Sequence, residues 1–224
     1  ALGTMGVGEG GPELAKQLLK NTYDIKAPEV VLVYLTGTPK RGIGPHDVAI
    51  ALVGATFKNG FVKNKVLEFV GPGVKNLSID FRNGIDVMTT ETTCLSSIWE
   101  TDEITEKHYI AHGRPEDYKR LYPNGVAYYD SMIEIDLSKM ESMIALPFHP
   151  SNAYTIHEFQ QNAKEILASV EAEASKKFGK CNLDLVSKVK ADGTIMADQG
   201  IIAGCAGGMF DSIDEAAAIL KNAS

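Results

Sequence analysis

The chain has few cysteines, no basic tract and no long apolar run. Only three widely separated cysteines occur among its 224 residues, which favours a reducing, cytoplasmic setting over a disulfide framework. The formal net charge of −7, without any cluster of Lys and Arg, argues against a nucleic-acid partner. No apolar stretch has the length needed to cross a bilayer. We therefore expect a cytoplasmic protein that binds neither nucleic acid nor membrane.

Several common catalytic motifs are also missing. The sequence has no G-x-S-x-G and no P-loop, so neither a serine hydrolase of that type nor a P-loop NTPase finds support. Its histidines show no metal-ligand spacing such as H-E-x-x-H. We interpret the following as packing or surface histidines: His108, His112, His149 and His157.

Near the start of the chain, Gly6, Gly8 and Gly11 fit the pattern G-x-G-x-x-G. A dinucleotide site needs a strand before this motif and an acidic residue that closes the next strand. The next predicted strand ends in Thr36-Gly37, with no acid there. The glycines therefore favour close packing at the start of a helix, which Pro12 opens, over nucleotide binding.

Strand patterns recur along the chain. The continuous apolar run 30–35 predicts a strand buried on both faces of a parallel sheet, and the runs 66–70 and 200–204 predict further buried strands. Residues 95–99 predict a short strand, and the alternation over 133–137 predicts a half-exposed one.

Helix patterns alternate with these strands. A capping box formed by Thr155 and Glu158 predicts the start of the longest helix, and the stretches 76–92 and 101–121 predict others. A hairpin is predicted around Asp192-Gly193. The alternation predicts an α/β fold with three layers (α/β/α), a mainly parallel sheet and two subdomains that divide near 145–155.

Cys205 lies in a glycine-rich stretch where a strand pattern passes into a helix pattern. Ser212 and Glu215 fit a capping box for that final helix. Unpaired backbone N–H groups and the helix dipole favour a thiolate at such a turn, and the flanking glycines let a bulky group approach. Cys205 is therefore a candidate nucleophile or metal ligand, and a structural cysteine in a tight turn is the alternative.

Glu91 stands alone among threonines in the stretch 86–94. Such an acid could orient a histidine or accept a proton. Spacing alone favours the alternative, a capping or surface carboxylate. Cys94 and Cys181 have no C-x-x-C or histidine partner nearby, and we interpret both as ordinary cysteines.

Three stretches together resemble the aconitase family of iron–sulfur hydro-lyases. They are Gly71-Pro72-Gly73-Val74, the stretch from Thr90 to Ser97 that contains Glu91, and Gly204-Cys205-Ala206-Gly207. The opening ALGTMGVGEGG, the VYLTG strand end and the segment IALPFHPSNAY are similar to the family in the same order. The resemblance covers essentially the whole chain and is closest to aconitase-like hydratases.

The resemblance implies the fold of the aconitase iron–sulfur domains and a [4Fe–4S] cluster that acts on a small hydroxy-carboxylic acid. In the family, a lone cysteine on a strand-to-helix turn and a later C-x-x-C pair hold the cluster, and Cys205 matches the lone ligand. Glu91 matches an active-site acid that pairs with a catalytic histidine, expected in a T-D-S-H stretch just before Ala1. The fourth iron, which has no protein ligand, is a Lewis acid toward the substrate.

Two positions depart from the family pattern. Ala206-Gly207 follow the lone cysteine where the family commonly has Thr-Asn, and Val87 stands where an Asn is frequent. Both differences remove polar groups from the pocket. The resemblance therefore does not imply citrate or isocitrate as the substrate.

The C-x-x-C pair and other pocket residues of the family would fall beyond Ser224. We therefore expect an internal fragment that is inactive alone and lacks its cluster, and whose partners are the remaining domains of the same polypeptide. We expect three parts: 1–27, the tail of a preceding α/β domain; 28–148, an α/β subdomain that carries Glu91; and 149–224, the start of a further α/β subdomain that carries Cys205.

Two alternatives stay open from the sequence. The chain could be a non-catalytic binding or scaffold α/β module in which Cys205 is structural. Cys94, Cys181 and Cys205 also match in number the three thiolates that a cluster needs, although Cys181 lies in a polar stretch just after a helix end. Flanking sequence with T-D-S-H before the chain and C-x-x-C after it would decide the class.

Overall fold

A computed structural model describes residues 2–8 and 10–221 of the chain. The segments Ala1, Glu9 and 222–224, which fall in the predicted parts 1–27 and 149–224, lie outside the described residues. The helices and strands follow in chain order: α1 Gly11–Lys20, β1 Val30–Thr36, α2 Pro45–Thr56, β2 Val66–Val70, α3 Ile79–Met88, β3 Ser96–Trp99, α4 Glu103–Ala111, β4 Ser131–Asp136, β5 Met143–Ala145, β6 Ala153–Thr155, α5 Ile156–Phe178, α6 Gly204–Gly207 and α7 Phe210–Leu220.

The main sheet has four parallel strands in the order β3-β2-β1-β4. A separate antiparallel pair joins β5 to β6. The parallel strands predicted at 30–35 and 66–70 are therefore confirmed. This mainly parallel α/β architecture confirms the predicted fold class, and it is consistent with a three-layer α/β/α arrangement.

Strand β1 is fully buried on one face only. Val31, Val33 and Leu35 are completely buried, whereas the alternating residues of β1 are half-buried. The prediction of burial on both faces is thus wrong for this strand. Helices α2 and α3 cover the buried face, where Val48 and Ile85 join the core.

The Gly71-Pro72-Gly73 motif follows β2 and packs the carboxyl ends of two strands together. The Gly73 N–H donates to the Leu35 carbonyl oxygen over 2.8 Å. Gly71 has a φ of +117°, and a Cβ there would lie 2.5 Å from the Leu35 oxygen. Glycine is required at this position because both the backbone conformation and the close approach exclude a side chain.

The capping box predicted for the longest helix is confirmed. Thr155 Oγ1 accepts the N–H of Glu158 over 3.0 Å, and the Glu158 carboxylate accepts the N–H of Thr155 over 2.9 Å. The charged stretch predicted as a helix over 101–121 is helical only over α4. Gly113, with a φ of +68°, ends it, and a single 3₁₀ turn at Pro115–Asp117 follows.

The C-terminal part departs from the sequence prediction in two ways. No described strand pairs with 200–204, and Ile201 and Ile202 are 76% and 52% exposed. The run is extended at Ala203 (φ −164°) but is not a buried strand, because a strand requires a neighbouring strand to satisfy its backbone. The predicted capping box at Ser212 is also wrong, since α7 begins at Phe210 without a side-chain cap.

A second hydrophobic cluster forms around α5. Four buried side chains form this cluster: Phe159, Ala163, Ile166 and Leu167. They pack against partly buried side chains that include Ile144 and Tyr154. The hairpin predicted around Asp192-Gly193 is present in a short form: Val189 and Ile195 make an antiparallel bridge, and the Lys190 N–H donates to the Thr194 carbonyl over 2.8 Å. The domain limits predicted at 27 and 148 stay predictions.

None of the described helices combines the length and apolar character needed to span a bilayer.

Candidate functional site

Glu91 lies on a short 3₁₀ turn, Thr89–Thr92, that directly continues α3. Its threonines bond back to the preceding turn: Thr89 Oγ1 donates to the Asp86 carbonyl over 2.7 Å, and Thr92 Oγ1 donates to the Thr89 carbonyl over 2.6 Å. Thr92 is completely buried, whereas the Glu91 side chain is 45% exposed. The threonine run thus fixes the backbone and presents the one carboxylate of this turn toward solvent.

His149 lies beside Glu91. Its Nε2 is 3.7 Å from Glu91 Oε2, and its ring stacks on Phe57 with a centroid distance of 3.8 Å. The sequence predicts a packing or surface role for His149 and does not indicate its position next to an acid. The two residues are far apart in sequence, and no motif spacing connects them, so only the fold could pair them.

The loop that carries His149 is held by its own hydrogen bonds. The Leu146 N–H donates to the Asn152 carbonyl over 2.9 Å, and the Asn152 side-chain amide donates to the Pro147 carbonyl over 2.8 Å. The Ser151 N–H donates to His149 Nδ1 over 3.1 Å. These bonds fix both the path of the loop and the orientation of the imidazole.

Asp86 forms a partly buried polar network behind the Glu91 turn. Its Oδ1 accepts from Ser97 Oγ over 2.6 Å and from Trp99 Nε1 over 3.0 Å. Ser97 Oγ lies 3.0 Å from Thr89 Oγ1, which ties the network to the 3₁₀ turn. This network anchors the end of α3 to strand β3.

Cys94 lies close to the same network but is not suited to be a thiolate. Its Sγ donates to the Thr89 carbonyl oxygen over 3.3 Å. Burial raises the pKa of the Cys94 thiol, and hydrogen bonds with Thr92 and Thr89 only partly oppose that rise. A neutral thiol is a poor metal ligand and a poor nucleophile.

Cys205 is exposed and lies in the short helix α6. Gly204, just before it, has a φ of +86°. A Cβ placed on Gly204 would have no heavy atom within 4 Å. Helix α6 lies near the start of α2. A Cβ placed on Gly207 of α6 would lie only 3.7 Å from Cε1 of His46 in α2. The cysteine is therefore accessible, with little bulk next to it.

The structure does not bring Glu91 and Cys205 together. Cys205 lies near the first turn of α2, whereas Glu91 and His149 lie beside Phe57, just after its last residue. A helix of this length, 12 residues, separates its ends by about 18 Å. The roles assigned to Glu91 and Cys205 by the resemblance stay predictions.

The described residues do not by themselves fit a [4Fe–4S] cluster. Over residues 2–8 and 10–221, no group of three or more His, Cys, Asp or Glu side chains is arranged to hold a metal ion. All three cysteines are free thiols, and only Cys205 is exposed. The alternative in which Cys94, Cys181 and Cys205 hold one cluster therefore finds no support in this geometry.

Curated relatives of the chain are dehydratases and hydratases by name. Over 158 residues it is 31% identical to the 3-isopropylmalate dehydratase large subunit of Lachnoclostridium phytofermentans, which covers 70% of this chain and 37% of that protein. It is 26% identical over 221 residues to the 2,3-dimethylmalate dehydratase large subunit of Eubacterium barkeri, with 99% and 44% covered. Mitochondrial aconitate hydratase of Arthroderma benhamiae is 31% identical over 172 residues, with 73% and 22% covered.

The chain thus spans less than half the length of these relatives. The match to the family itself extends over every residue. The model of the aconitase family (aconitate hydratase) matches residues 1–224. The chain belongs to the aconitase family.

Proposed function

We propose that this chain is part of a hydro-lyase that adds water to, or removes it from, a small hydroxy-carboxylic acid. The observation that carries the proposal is the pairing of Glu91 with His149 on a solvent-accessible turn, in a chain that matches the aconitase family over its whole length. Two of the relatives are named for substituted malates, 3-isopropylmalate and 2,3-dimethylmalate. Alkyl-substituted malates are therefore the first substrates to test.

Glu91 is the proposed acid–base residue. Dehydration of a hydroxy acid requires removal of a proton from carbon and delivery of a proton to the departing hydroxyl. A positioned carboxylate typically accelerates such a transfer by about 10² to 10⁴-fold. Two observations support this role: the Glu91 side chain is 45% exposed, and its backbone is fixed by Thr89 and Thr92.

The cofactor proposed for the full-length protein is a [4Fe–4S] cluster with Cys205 as one ligand. When bound, such a cluster supplies a Lewis-acidic iron. The other thiolates are proposed to come from outside this chain, a proposal supported by the lack of a group of three metal-binding side chains among the described residues. The remaining domains of the polypeptide are thus the proposed partners of this chain.

Glu91→Gln in the full-length protein is expected to lower kcat by roughly 10²-fold or more, because it removes the group that exchanges a proton with the substrate. Bound iron should stay at the level of the unmodified protein. The measurement is the initial rate with alkyl-substituted malates beside iron content. Glu106→Gln, an exposed acid on α4, is the matched control and should keep full activity. Equal rates for Glu91→Gln and the unmodified protein would remove the acid–base assignment.

The chain of 224 residues alone should bind no stoichiometric iron after anaerobic reconstitution with iron and sulfide. A cluster of this kind takes three protein thiolates, whereas Cys205 is exposed and Cys94 and Cys181 are half-buried. Iron analysis and the visible absorption of the cluster are the measurements. A stable cluster bound by this chain would contradict the proposed ligand set.

A further inference from the structure

His149 has a defined tautomer in this fold. Its Nδ1 accepts the Ser151 backbone N–H over 3.1 Å, and Ser151 Oγ lies 3.1 Å from the same nitrogen. An acceptor nitrogen carries no hydrogen, so the neutral imidazole must carry its hydrogen on Nε2. Ser151 is only 8% exposed, which protects the bond from competition by water.

The Nε2–H group faces the Glu91 carboxylate. The separation of 3.7 Å is longer than a formed hydrogen bond but within the range of catalytic pairs that tighten when substrate binds. The imidazole cannot turn away easily, because it stacks on Phe57 with an interplanar angle of 24°. Among the described residues, the structure pairs Glu91 with no other side chain.

We propose that His149 is a positioning residue for Glu91. In this arrangement its Nε2–H donates to Oε2 and leaves Oε1 available for proton transfer. The inference rests on the proposed function and deepens it. His149 belongs to this chain and lies in the 146–152 loop, so it is distinct from the histidine that the family resemblance assigns before Ala1.

This pairing also explains why an acid on an exposed turn could act with a fixed geometry. An exposed glutamate has three rotatable side-chain torsions, and solvent alone would leave its carboxylate free to sample several orientations. One donor on a rigid ring restricts that freedom without burying the charge. Substrate can therefore still reach Glu91, whose side chain remains 45% exposed.

Two substitutions separate hydrogen bonding from packing. His149→Gln keeps an amide N–H donor near the position of Nε2, whereas His149→Phe keeps the aromatic stack on Phe57 and lacks the donor. In the full-length protein, His149→Phe should lower kcat about tenfold, as expected from one lost hydrogen bond to a charged group, with little change in KM. His149→Gln should retain kcat within about threefold for the same reason. A stable His149→Phe protein with full kcat, or a loss confined to His149→Gln, would overturn the positioning role.

A second measurement does not depend on activity. Imidazole ¹⁵N chemical shifts of this chain, recorded with the His149 imidazole in its neutral form, should show hydrogen on Nε2 and none on Nδ1. Hydrogen on Nδ1 would overturn the inference while leaving the hydro-lyase proposal intact. Lack of hydro-lyase activity in the unmodified full-length protein would instead overturn the proposed function, and with it the catalytic use of the pair.

Discussion

Cys205→Ser in the full-length protein is expected to abolish cluster binding and hydro-lyase activity together. Iron binds the thiolate form of cysteine, and a serine hydroxyl does not ionise near neutral pH. Cys205 is the exposed cysteine of the chain, and a Cβ placed on the adjacent Gly204 would meet no heavy atom within 4 Å. Because one of the three proposed protein ligands is lost, we expect the whole cluster to be lost rather than a fraction of the activity.

The other two cysteines are matched controls for this experiment. Cys94→Ser should keep both iron and activity, because its thiol bonds to the Thr89 carbonyl and burial raises its pKa. Cys181→Ser should behave in the same way, since Cys181 follows the end of α5 and belongs to no metal-binding group. Iron content and initial rate are measured for each variant. Full iron and full activity in Cys205→Ser would reduce its glycine-rich turn to a structural feature and remove the cluster assignment.

Features encoded by local patterns could be predicted from the sequence. The run 30–35 is a strand of consecutive apolar side chains, several of them β-branched, and the run 66–70 is a strand in which Glu68 is the one charged residue. The capping box of Thr155 and Glu158 depends on residues within one helical turn. Such features need no knowledge of the rest of the fold.

Features that depend on distant residues could not be predicted. The run 200–204 has strand composition, but no described strand lies next to it, so it stays exposed. His149 meets Glu91 only because the 146–152 loop and the turn after α3 both lie at the end of α2. Arg82 is a third case, since nothing around it in the sequence indicates that it is completely buried.

Arg82 forms the most deeply buried ion pair among the described residues. Its Nη1 and Nη2 donate to Asp102 Oδ1 and Oδ2 over 3.0 and 2.6 Å, and Nη2 also donates to the Val74 carbonyl over 3.0 Å. Asp102 caps α4 as well, because its Oδ1 accepts the N–H groups of Ile104 and Thr105. The pair therefore joins α3, the turn after β2 and the start of α4.

Asp102→Asn is expected to lower the free energy of unfolding of this chain by about 3 kcal/mol, because it leaves the guanidinium of Arg82 buried without a counter-charge. Asparagine is as good an N-cap as aspartate, so the loss reports the ion pair rather than the cap. The matched control is Asp117→Asn. Its pair with Arg114 has the same 2.6 Å separation, but the two side chains are 41% and 64% exposed. We expect the control to cost less than about 1 kcal/mol.

Urea unfolding at neutral pH and at acid pH tests the origin of this loss. Burial alone would raise the pKa of Asp102, but the hydrogen bonds and charge of Arg82, with those from Thr105, hold it below its ordinary value of 3.8. The contribution of the carboxylate is therefore fully present above about pH 4 and is lost as the pH falls through the lowered pKa. The stability difference between Asp102→Asn and the unmodified chain should shrink accordingly.

The double variant Arg82→Met with Asp102→Asn separates an unpaired charge from simple loss of packing. Removing both charges takes away the buried guanidinium that makes the single variant costly, and replacing a whole buried pair is often close to neutral. We expect the double variant to be more stable than Asp102→Asn alone, although the Val74 carbonyl loses its donor. If the double variant were instead less stable than Asp102→Asn, Arg82 would stabilise the fold mainly through its hydrogen bond to the Val74 carbonyl. The ion pair with Asp102 would then be a minor contribution.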